Sequence, residues 1–212
     1  MMRCGYSVSR RRFHAALMPA AWFGFANEPQ AGGQLEEPLA DSVRSALAAA
    51  IAQVAPPKPR FQTFEQRLAY LSWLSLASSR LRKRKSEHLT RIEFLETVWY
   101  ESHRAGLETA LIISIIQVES GFRKYAVSSA GARGYMQIMP FWSRAIGNGD
   151  AAQLFHMQTN IRFGCVIFRH YLDMERGDIF MALGRYNGSR GKSEYPNLVL
   201  GARQDWSLSA SV

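Results

Sequence analysis

Residues 119–140, ESGFRKYAVSSAGARGYMQIMP, join one carboxylate to a loop of small residues, a composition that lets backbone approach a ligand closely. Ile112, Ile115, Ile116 and Glu119 fall at i, i+3, i+4 and i+7, so the spacing predicts a helix that points Glu119 the same way as its core-facing isoleucines. Gly121 predicts that the helix stops there, with the negative end of its dipole beside the carboxyl. Apolar surroundings and that dipole both favour the protonated form, as a proton donor working near neutral pH requires. The plainer alternative is a structural ion pair between Glu119 and Arg123.

The loop that follows carries Ser128, Ser129, Gly131 and Gly134 and runs into Met136, Gln137, Ile138, Met139 and Pro140. Glu119–Ser120, then Gly131 to Gln137 with Ile138, Met139 and Pro140, then Tyr186–Asn187 stand in one order along the chain. Together they resemble the three motifs of the bacterial lytic transglycosylases with a soluble-transglycosylase (SLT) type domain, a family related in fold to goose-type lysozyme. The resemblance covers about residues 88–206, with Tyr195, Pro196, Asn197, Val199, Leu200 and Trp206 similar to the closing part of such domains. Two positions depart from the pattern. Tyr135 stands where Leu is usual, and either alters packing under the cleft or offers a sugar-stacking surface; Arg185 stands where Ala is common.

The resemblance implies an all-α, lysozyme-like helical transglycosylase domain that acts on peptidoglycan glycan strands without a cofactor or metal. Glu119 would protonate the glycosidic oxygen between N-acetylmuramic acid and N-acetylglucosamine. Its carboxylate would then take the proton from the muramic O6, whose attack closes a 1,6-anhydro ring. By the same resemblance Ser128 and Gln137 hydrogen-bond the sugar or its acetamido group, and Met139 forms an apolar wall. Tyr186 orients Glu119 through its hydroxyl, and Asn187 holds the turn or a sugar. Taken one at a time, Met139 and Tyr186 read equally as core residues and Ser128 as a turn residue.

Elements must then position these groups. The first 26 residues hold Arg3, Arg10, Arg11 and Arg12, no acid, and an apolar stretch from Ala15 to Ala26, which reads as an export signal and implies a periplasmic, cell-envelope location. Removing it would take Cys4 and leave Cys165 alone, on the helical face of Ile161, Phe168 and Leu172, as a core residue. No segment long enough to span a membrane is expected in the mature chain. Residues 27–60, with Pro56, Pro57 and Pro59, read as a tether with a short helix from Asp41 to Val54.

Residues 61–85 read as a basic amphipathic helix, packed through Tyr70, Leu74, Ala77 and Leu81 and ending in a solvated cluster from Arg80 to Lys85. Residues 86–212 are the catalytic domain. Helices are expected from near Ser86 to Gly106, from Glu108 to Ser120, from Met136 to Ile146, from Thr159 to Glu175 and from Asp178 to Tyr186.

The net charge of +9 suits an anionic partner such as the cell wall, and no nucleic-acid motif accompanies it. A secretion-apparatus or envelope protein is a candidate partner for region 27–85. Two other functions remain open. One is a muramidase in which water attacks; in the inverting form it would need a second carboxylate about 6.5–9.5 Å from the first, for which Asp150 is the downstream candidate, although it reads more simply as a helix cap. The other is a wall-binding or assembly module.

Overall fold

The computed structural model describes residue 1, residues 33–52 and residues 59–207; the expected export signal and Cys4 lie outside the described residues. Among the described residues eight α-helices follow one another: α1 (Asp41–Ala52), α2 (Phe64–Leu81), α3 (His88–Arg104), α4 (Thr109–Ser120), α5 (Pro140–Ile146), α6 (Met157–Met174), α7 (Ile179–Asn187) and α8 (Glu194–Trp206), with a 3-10 turn at Ala151–Phe155. Extended pairing among the described residues is limited to isolated bridges joining Val127 to Arg133 and Arg133 to Ile138. The fold is all-α.

Helix α4 lies at the centre, and ten of its twelve residues are buried, which is why its middle is apolar on every side. Ile112, Ile113, Ile115 and Ile116 have no exposed surface. Helices α3 and α8 pack on it, and Trp206 at the end of α8 donates its indole N–H to Gln117 Oε1 at 2.8 Å. Helix α6 contributes Ile161, Cys165 and Phe168 to the same core. Burial pushes the Cys165 thiol well above its ordinary pKa, as the packed, unreactive reading requires.

Several boundaries differ from expectation. Residues 136–139 are not the start of a helix: Met136 and Gln137 form a turn, Ile138 pairs in a bridge, and extended Met139 is the N-cap with Pro140 in the first turn, where its missing N–H costs nothing. Helix α6 begins at Met157 after His156 and not at Thr159, because the preceding 3-10 turn already directs the chain into it. Helix α3 is capped by Glu87, whose carboxylate accepts from Leu89 and Thr90 N–H.

The largest difference is N-terminal. Residues 33–52, expected as part of a tether, lie against the domain. Leu47, Ala48 and Ile51 of α1 pack on the core, and the last carbonyls of α1, which have no partner within the helix, receive donors from the domain. Arg104 Nη1 reaches Ala50 O at 2.8 Å, and Arg162 Nη1 reaches Ile51 O at 3.4 Å. The two guanidiniums are held by Glu101, which is fully buried and accepts from Arg104 Nε and from Arg162 Nε at 2.9 Å each.

The basic end of α2 is likewise only partly solvated. Lys85 Nζ donates to the Tyr135 hydroxyl at 2.6 Å and lies over the Phe94 and Tyr135 rings, while the Arg84 guanidinium lies over Phe122. Burial, then the nearby Lys124 charge, lowers the Lys85 pKa.

Candidate active site

Glu119 occupies the last turn of α4 and is 4% exposed, as the stripe of isoleucines predicts. Gly121 ends the helix with a left-handed φ of 56°, a conformation cheap only for glycine. Arg123 does not turn back to the acid: its Nε donates to Ser120 O at 2.9 Å and caps the helix end. Ser120 Oγ donates to Ile116 O at 3.1 Å within the helix. A hydrogen bond from α8 holds Glu119: the buried Tyr195 hydroxyl donates to Glu119 Oε1 at 2.7 Å. Burial first, and the Glu119 charge second, push the Tyr195 hydroxyl well above the ordinary phenol pKa, so it remains a donor throughout the neutral range.

The loop after α4 doubles back on itself through the two bridges at Arg133 and is clamped from beneath by Asn160 of α6, which has no exposed surface. Asn160 Oδ1 accepts from Met136 N–H at 2.8 Å, while Nδ2 donates to Arg133 O at 2.8 Å and Leu154 O at 2.7 Å. Gly134 is the residue that lets the loop pass over this clamp: its φ is 76°, and a Cβ there would lie 2.4 Å from Asn160 Nδ2 and 2.5 Å from Leu154 O. Gln137 also has a positive φ, 49°, and its Nε2 donates to Gly134 O at 2.9 Å and to Ala126 O at 3.2 Å. Ser128 stands on the outer turn, where its Oγ accepts from Ala132 N–H at 3.1 Å.

Tyr186, at the end of α7, is buried and donates its hydroxyl to Met136 O at 2.8 Å. Burial and then the Glu119 charge push its pKa well above ordinary, which places the carboxyl in its electrostatic neighbourhood. Asn187 Nδ2 donates to Ser189 Oγ at 3.0 Å, whereas its buried Oδ1 accepts no hydrogen bond. Met139, half-buried, packs against the core.

Residues 97–204 match the family described as the transglycosylase SLT domain, more than half of the chain. The chain belongs to that family. Among curated relatives of this SLT chain, a transglycosylase of Enterobacteria phage PRD1 is 29% identical over 104 residues, covering 49% of this chain and 38% of the phage protein. Membrane-bound lytic murein transglycosylase C of Haemophilus ducreyi is 32% identical over 114 residues, covering 47% of this chain and 31% of that protein. The SLT chain thus spans about a third of the length of these two relatives. A solved structure of an inactive mutant of lytic transglycosylase Slt from Pseudomonas aeruginosa is 25% identical, covers 66% of this chain and 27% of that one, and superposes with a TM-score of 0.43.

The structure corrects one role within this SLT domain. Tyr195, not Tyr186, holds Glu119; Tyr186 instead holds the loop at Met136. The Gln137 side-chain N–H groups, expected on a sugar, are turned to loop carbonyls, and the side chain is 1% exposed. Tyr135 is not a stacking surface. It is buried against Phe94, with ring centroids 5.0 Å apart, and its hydroxyl meets Lys85. Asp150 is the cap its sequence context suggested, with Oδ1 accepting from Ala152 N–H at 2.8 Å.

Proposed function

We propose that this protein is a peptidoglycan lytic transglycosylase that cleaves the β-1,4 bond between N-acetylmuramic acid and N-acetylglucosamine, with Glu119 as its single acid and base. The observation that carries this reading is a carboxyl group buried at the end of an apolar helix with one oxygen fixed by the Tyr195 hydroxyl. Membership of the SLT family supports the same chemistry.

Tyr195 holds Oε1, and Oε2 carries the proton that passes to the glycosidic oxygen as the C1–O bond breaks. The substrate acetamido group assists at C1. The carboxylate then removes the O6 proton, O6 bonds to C1, and the 1,6-anhydro end forms with no water consumed and the acid restored. Ser128, Met139 and Asn187 stand on the loop and turn assigned to the sugar, while Gln137 and Tyr186 hold that loop from within through their bonds to Gly134 O, Ala126 O and Met136 O.

This reading is favoured over inverting hydrolysis because Asp150, the carboxylate weighed for positioning water, is exposed and occupied as a cap. Glu101, the other buried carboxylate among the described residues, is held by Arg104 and Arg162. The Arg10–Arg12 run and the apolar stretch that follows support export to the periplasm, where such a substrate lies.

Incubation with purified peptidoglycan, followed by mass spectrometry of the soluble products, tests the proposal. It predicts anhydromuropeptides from the wild-type protein and none from Glu119→Gln. Reducing muramic ends would make it a hydrolase, and release by Glu119→Gln equal to wild type would remove Glu119 from the chemistry.

A further inference from the structure

The extended arm that precedes α1 lies on the loop and turn that the proposed function assigns to the sugar. Gln34 is 4% exposed; its Nε2 donates to Gln137 O at 3.4 Å, and its Oε1 accepts from Met139 N–H at 3.3 Å. Next to it, Gly33 passes so close to the turn after α7 that a Cβ on Gly33 would lie 2.6 Å from Asn187 O, and a Cβ on Gly188 would lie 1.9 Å from Gly33 O. Two consecutive residues of the arm therefore meet the backbone of Gln137, Met139 and Asn187.

The chemistry of that contact is specific. The Gln34 carboxamide places an N–H donor on Gln137 O and a C=O acceptor on Met139 N–H, and a sugar acetamido group carries the same two functions, one N–H and one C=O. Further along the arm, Glu37 accepts from Arg185 Nη1 at 2.8 and 3.0 Å, beside the Tyr186–Asn187 pair. Behind it, α1 is fixed by Arg104 and Arg162 at its C-terminal carbonyls, so the arm has an anchored end and a contact end.

We propose that residues 33–39 are an internal competitor for the glycan, in which Gln34 stands in for a sugar acetamido group and the Glu37–Arg185 pair is the clasp. The inference rests on the transglycosylase reading of the site. A glycan strand and the arm cannot occupy these atoms together, so cleavage requires the arm to leave while α1 stays docked. The arm is built to yield: its amide hydrogen bonds are long, and the clasp is partly exposed to solvent, where ion pairs contribute little. Its advantage is intramolecular, a high effective concentration at the cleft that an incoming strand must outcompete.

Steady-state kinetics of the full chain on soluble peptidoglycan fragments test this, comparing wild type with Gln34→Ala, Glu37→Gln and the double variant. A competitor that must leave raises apparent KM without touching kcat. The variants are expected to show KM lowered about three- to tenfold with kcat unchanged. An unchanged or higher KM, with the wild type active, overturns the arm and leaves the enzymatic reading intact. Absence of cleavage by every protein, variants included, overturns the enzymatic reading and the arm with it. Hydrogen exchange on the Glu119→Gln protein gives an independent readout: the same fragments should speed exchange at residues 33–39 and leave α1 unchanged. Bound fragment with unaltered arm exchange contradicts the proposal.

Discussion

The Tyr195 hydroxyl donates to Glu119 Oε1 at 2.7 Å, joining α8 to the end of α4 across 76 positions of sequence. Because Tyr195 touches the acid and not the substrate, it is a positioning residue. Tyr195→Phe should lower kcat about 10–100-fold with KM little changed, the scale of one hydrogen bond to a charged group, about 1.5–3 kcal/mol. The bond stabilises the carboxylate, so its loss should also move the alkaline limb of the pH–rate profile to higher pH. A profile in its original place would mean that Tyr195 only packs.

Asn160 should matter to stability more than its distance from the acid in sequence suggests. Asn160→Ala removes three hydrogen bonds to the loop and its neighbour, and leaves Met136 N–H and Leu154 O without this partner, while Arg133 O still accepts from Ile138 N–H at 3.0 Å. The expected cost is about 3 kcal/mol, or roughly 6–12 °C in the thermal midpoint for a domain of this size. Differential scanning calorimetry checks it, and a shift under about 2 °C would mean that the loop holds without this clamp.

Acid should loosen the turn that carries Arg185. Hydrogen bonds from Arg190 foremost, opposed by desolvation and joined by those from Arg185, hold the Glu175 carboxyl down to about 2, against an ordinary 4.5. The folded value lies below the unfolded one, so this contribution is fully present above pH 4.5 and disappears as the pH falls toward 2. Urea midpoints of wild type and Glu175→Gln should therefore differ at pH 5 and converge toward pH 2. Parallel curves would contradict the assignment.

The acid and its helix were legible because they depend on local pattern: a 3.6-residue stripe, a terminating glycine and a motif in fixed order. Tyr195 was visible as part of the closing segment, but no spacing ties residue 195 to residue 119, and Tyr186 was the more obvious candidate to orient the acid. Asn160 was invisible for a related reason, since a polar residue on an otherwise apolar helix does not announce which loop it will hold. The arm defeated composition outright. Pro, Gly and Ala read as a tether, yet residues 33–52 dock because the partners that fix them, Arg104, Arg162 and Arg185, are distant in sequence. Both departures from the family pattern face the N-terminal extension: Tyr135 meets Lys85, and Arg185 meets Glu37.

The most direct test of Glu119 as the single acid and base is digestion of peptidoglycan in water enriched in oxygen-18. Intramolecular attack by O6 predicts 1,6-anhydromuramic ends without the heavy isotope, all lost in Glu119→Gln. Oxygen-18 at C1 of reducing muramic ends, formed by the wild-type protein, would show that water is the nucleophile and would contradict the account.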